Sequence, residues 1–103
     1  MGITVEDLVP SQELSALPLV KVASNSEVQQ IAHLICNLVN ENKVTKVRAI
    51  GAGAVNQAVK AIITAQGVVA TQGQELTSRP GFEMVPMPDK EPVTAIIWLL
   101  EAK

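Results

Sequence analysis

The apolar residues of this chain change spacing along its length, and each change marks an element. Leu19-Val20-Lys21-Val22-Ala23 is short and rich in β-branched residues, which predicts a first strand. Ser24-Asn25-Ser26-Glu27 follows with the S-x-x-E spacing of a capping box, so a helix is expected to start there. Val28, Ile31, Ala32, Ile35, Leu38 and Val39 then recur at three- and four-residue steps, the spacing of one buried helical face. Gln29, Gln30, His33, Asn37 and Asn40 fall opposite, and Asn42-Lys43 closes the helix. Val44 to Ile50 alternates instead, with Lys46 and Arg48 on one side of a second strand and Val47 and Ala49 on the other. Gly51-Ala52-Gly53 reads as a tight turn. A second helix is predicted from about Ala54 to Gln66, with Gly67 placed to end it.

The last third reads as a β-hairpin. Glu75 to Arg79 forms one strand, Gly81 to Pro92 a Pro-rich connection, and Val93 to Leu100 a final strand apolar on both faces. Residues 1–18 contain Pro10 and Pro18 and show no sustained period. They form an N-terminal arm, either partly disordered or docked through Val5, Leu8, Leu14 and Leu17. Residues 19–103 then make one domain of order β-α-β-α-β-β. The expected class is an α/β two-layer sandwich, a four-stranded mixed sheet with two helices on one face. Two helices cover only one face, so Ile96, Trp98 and Leu100 are expected on the uncovered side. An apolar patch there would be the interface of a dimer or tetramer.

Composition narrows the function classes. The 103 residues suit a single domain, and Phe82 and Trp98 are the only aromatics, which leaves little stacking surface for bases or sugars. Net charge is −2 without a Lys/Arg run, so any contact with nucleic acid must rest on local basic groups. One cysteine, Cys36, excludes an internal disulfide, and with one histidine it excludes a His/Cys zinc cluster. A reducing cytoplasm is the simplest compartment. No apolar run is long enough to span a membrane, and Glu6 stands where a myristoylation signal needs Ser or Thr. His33 lies on a solvated face, tyrosine is absent, and no acidic spacing suggests a metal site, so neither catalysis nor a cofactor is expected.

The segment with chemical content is Ala49-Ile50-Gly51-Ala52-Gly53-Ala54-Val55-Asn56-Gln57-Ala58-Val59-Lys60-Ala61. A strand, a Gly-x-Gly turn and a helix start leave free backbone N–H groups that can hold a phosphate or carboxylate. As a dinucleotide fingerprint the segment lacks its third glycine, which is Asn56. The same glycines also serve a purely structural need, a turn that brings helix and sheet close. This run, with Gln66-Gly67-Val68-Val69-Ala70 after it, resembles the stage V sporulation protein S (SpoVS) family over about residues 19–103. That family is similar in architecture to Alba, an archaeal nucleic-acid-binding protein with the same element order. The resemblance implies a small, non-enzymatic, oligomeric bacterial protein in sporulation or developmental regulation, with nucleic acid as its ligand. Alba-like binders place basic residues in the first loop, around the glycine turn and on the hairpin. Here those places hold Ser24 to Glu27, Ala52 and Ala54, and Glu83, Asp89 and Glu91 against Lys90.

Two functions compete first, with a small-anion or nucleotide sensor using Gly51 to Asn56 as a third, weaker reading. The first is a nucleic-acid-binding regulator using Lys21, Lys46, Arg48 and Arg79 on the sheet, Gly51 and Gly53 in the turn, and Asn56 and Lys60 on the second helix. The alternative is an assembly module that binds like subunits or a regulatory partner without nucleic acid.

Overall fold

The structure is a computed structural model that describes residues 2–8 and 16–103. Leu14 and Pro10 of the arm lie outside the described residues. Strand β1 (Leu19–Val22) leads into helix α1 (Val28–Asn42), then β2 (Val44–Ala49), helix α2 (Ala52–Ala70), β3 (Leu76–Met87) and β4 (Lys90–Ala102). The sheet order is β1-β2-β4-β3, with β1 parallel to β2 and the other pairs antiparallel. This is the expected two-layer α/β architecture.

Alternation assigns the two faces of the sheet. Val20 pairs with Val47 and Val22 with Ala49, and Val47 pairs in turn with Trp98 across β4. Together with Leu100 and Ala102 these residues join one aliphatic core with Ala32, Ile35, Cys36 and Val39 of α1. Helix α2 adds Ala54, Ala58, Ala61 and Ala65, a small-residue stripe that lets it lie close against its neighbours. Cys36 belongs to this packing. Its thiol lies 3.9 Å from the Ala65 carbonyl, and burial pushes its pKa up, so it is a packed group rather than a nucleophile.

Four expectations are corrected here. Helix α1 begins at Val28, not at Ser24; the Ser26 hydroxyl instead accepts the Ala23 N–H at 2.9 Å, and this turn uses up the residues meant as the cap. Helix α2 runs through Gly67 to Ala70, because Val69, fully buried, continues the apolar face of Ile62 and Ala65. The left-handed residue that follows is Gly73, at φ 76°.

The Pro-rich connection is strand. β3 and β4 pair from Leu76–Ala102 out to Met87–Lys90, leaving only Pro88-Asp89 as the turn. Edge position makes this possible. The Phe82 N–H points away from β4, to the Ile3 carbonyl at 2.7 Å, so Pro80, two residues earlier, also faces outward and sacrifices no ladder bond. Pro86 stands at the register shift between Val85 and Met87.

The fourth correction concerns the last strand. Ile96, Trp98 and Leu100 face the helices, because they pair laterally with Ala49, Val47 and Thr45 on the core side. They are not an outer interface. The opposite face carries Ala95, Ile97 and Leu99, all buried. On that side the described part of the arm is docked: Val5 is 2% exposed, in a short 3-10 turn over Val5–Asp7.

Candidate nucleic-acid interface

Strand register decides which candidate cations meet. Lys21 pairs with Arg48, which pairs with Ile97, which pairs with Gly81. The adjacent row runs Leu19, Lys46, Leu99, Arg79. Lys21, Lys46, Arg48 and Arg79 therefore share the face without helices, as the alternation in β2 implied. Asn56 and Lys60 are exposed on α2, across the sheet from these cations, and do not join them. Asn56 donates to the neighbouring Gln57 side chain at 3.3 Å.

The four cations differ in availability. Lys21 is exposed. Arg79 is exposed and donates to the Leu8 carbonyl at 3.4 Å. Arg48 is half-buried and forms a two-pronged pair with Glu83, Nε to Oε1 at 2.6 Å and NH2 to Oε2 at 3.1 Å. Such a pair fixes the guanidinium plane and cancels its charge. Lys46 is 9% exposed, and burial lowers its pKa, opposed by the Glu83 carboxylate and assisted by Arg48. The positive strip thus has exposed ends and a more buried middle, in which Glu83 neutralises Arg48. Glu83, 35 residues from Arg48 in sequence, carries no local signal of this role.

At the ends of β1 and β2 the face opens into a cleft of about 590 Å³. Lys21, Ser24, Arg48, Ile50, Gly51, Gly53 and Val85 are among its walls. Gly51 stands at φ 92°, a backbone region that L side chains avoid, and starts α2 directly. Gly53 lies in the first turn of α2, where a Cβ would come within 2.9 Å of the Ser24 Cβ. The glycines thus serve packing and also leave the first α2 N–H groups at the cleft. Gln57, unremarked in the sequence, ties this helix start to the first loop by donating to the Ser26 carbonyl at 2.9 Å.

Among the described residues no three His, Cys, Asp or Glu side chains come together as a metal site, and no helix is long and apolar enough to cross a membrane. A family model described as stage V sporulation protein S (SpoVS) matches residues 18–103. The chain belongs to the SpoVS family. The matched span includes every strand, both helices and the glycine turn, and it leaves residues 2–8 outside. Lys21, Lys46, Arg48 and Arg79 all fall within the SpoVS segment.

Proposed function

We propose that this SpoVS-family chain is a non-enzymatic, cytoplasmic nucleic-acid-binding regulator with a sporulation-related role, acting as an oligomer. One observation carries the reading: the register gathers four basic side chains on a single sheet face that opens into the glycine-turn cleft. A phosphate in that cleft would meet the Lys21 ammonium and the first N–H groups of α2, two donors of complementary kind. The β1 and β3 strands lie about 14 Å apart, three strand spacings, so Lys21 and Arg79 suit separate phosphates of one backbone. Such contacts position a nucleic acid without reading its sequence.

A salt titration of binding to a mixed-sequence DNA duplex and to the matching RNA tests this. Affinity should fall linearly on a log–log plot, and Lys21→Ala or Arg79→Ala should each lower the slope by about one unit. Lys90→Ala, at the hairpin end of β4, should leave it unchanged. Because Glu83 neutralises Arg48, Arg48→Ala should cost less affinity than Lys21→Ala. Failure to bind either duplex at low salt overturns the reading.

The assembly reading draws on a different observation. Ile3, Phe82 and Met84 are exposed beside an apolar groove of about 250 Å³ lined by Ile3, Pro80, Gly81, Phe82 and Ile96. Helix α2 adds exposed Val59 and Ile63. Exposed apolar groups of this kind support a self-association surface. Sedimentation equilibrium should show a dimer or tetramer, and Phe82→Ser with Met84→Ser should shift it toward the 10.9 kDa monomer.

A further inference from the structure

The arm lies outside the matched SpoVS segment, yet it is fitted to the face proposed to meet phosphate. Thr4 bridges in parallel to Phe82, and the Phe82 N–H donates to the Ile3 carbonyl at 2.7 Å. Gly81 shows how close the arm comes. A Cβ there would stand 3.1 Å from the Ile3 oxygen and 3.4 Å from the Leu8 Cδ1. Gly81 pairs with Ile97, so that missing Cβ would point to the face without helices, and the arm crosses that face on its β3 side.

The arm is also charged for the place it occupies. The Asp7 carboxylate accepts the Thr4 N–H at 3.0 Å and the Thr4 hydroxyl at 3.1 Å, which closes the short turn. Glu6 and Asp7 remain exposed. Within the paired register this face holds Lys21, Lys46, Arg48 and Arg79, with Glu83 and Glu101 among them. Glu6 and Asp7 give the arm docked on this face two negative charges. The Leu8 carbonyl meanwhile takes a donor of Arg79.

We infer that residues 2–8 form a releasable acidic cover, which a polyanion must displace from the Arg79 side of the cationic face. The inference rests on the nucleic-acid reading and adds its regulation. Coupling of this kind is reciprocal. Releasing the arm tightens polyanion binding, and bound polyanion loosens the arm.

The full-length protein supports a direct test with two readouts. Hydrogen exchange at the Phe82 amide reports the arm, and a labelled DNA duplex of about 20 base pairs reports the face. Gly81→Val crowds the arm from beneath, so it should speed Phe82 exchange and tighten duplex binding severalfold at low salt. Glu6→Gln removes one exposed charge without touching the packing, and should tighten binding about threefold, an effect that added salt erases. In the unmodified protein, saturating duplex should speed Phe82 exchange. A released arm with unchanged or weaker duplex binding overturns the cover, as does protection of Phe82 by duplex. Glu6→Gln tests the charge argument even where Gly81→Val fails to fold, and unchanged affinity in that variant also counts against the cover. If no form binds duplex at all, the nucleic-acid reading itself falls, and the cover with it.

Discussion

The two faces of one sheet are made from the same four strands and do opposite things. Toward the helices, Val20, Val47, Trp98 and Leu100 join a core with no charged member. Away from them, Lys21, Lys46, Arg48 and Arg79 share a face with buried Ile97 and Leu99, and a short peptide arm docks at its β3 side. Burial on the first side is permanent, since two full helices would have to leave. On the second, residues 2–8 dock on β3 through a few contacts. The difference teaches that a small domain can commit one face to stability and keep the other for charge.

Breaking the core side should have the largest effect on stability. Leu100 is fully buried, and Leu100→Ala should cost about 3 kcal/mol, read as a lowered urea midpoint. Duplex affinity of the folded fraction should not change. A comparable loss of affinity would show that the faces are coupled.

Glu83→Gln acts on the other side. Loss of the Arg48 pair should cost about 1–2 kcal/mol, yet free a guanidinium and tighten duplex binding severalfold. Weaker binding in Glu83→Gln would mean that the orientation of Arg48, not its charge, serves the site.

Smaller still is Gly67→Ala. Gly67 is exposed within α2 with nothing near its missing side chain, so alanine should add about 0.5–1 kcal/mol. Thermal melting will show it, and binding should stay as it was.

The least effect is expected from pH. Burial holds Lys46 below the ordinary lysine value, so the unfolded chain keeps that proton to higher pH than the folded one. Stability should therefore rise slightly as pH climbs from the lowered range to the ordinary lysine range. Lys46→Met should flatten the rise in a series of urea melts.

Much of the fold is legible in local spacing. The three- and four-residue steps of Val28 to Val39 and the alternation of Lys46 and Arg48 both describe the structure correctly. Spacing fails where the decisive partner is distant. Val93 to Leu100 is apolar at odd and even positions alike, so its own sequence cannot say that Trp98 looks toward the helices; its pairing with Val47 does. The Pro-rich stretch reads as a loop because the outward direction of Pro80 is a property of the sheet edge. The site is half legible for the same reason. Parity placed the β2 cations together, whereas the Arg48–Glu83 pair and the contact from Arg79 to Leu8 join residues far apart in sequence.

The outward-facing Pro80 has a consequence for crowds of this protein. Continuous cross-chain ladders need consecutive free N–H groups along an exposed strand, and on β3 one is missing, the next is taken by Ile3, and Pro86 interrupts the register beyond. The other border, β1, is four residues long. Copies meeting edge to edge along β3 would find its outward N–H row broken at Pro80, Phe82 and Pro86, which disfavours an endless cross-chain ladder.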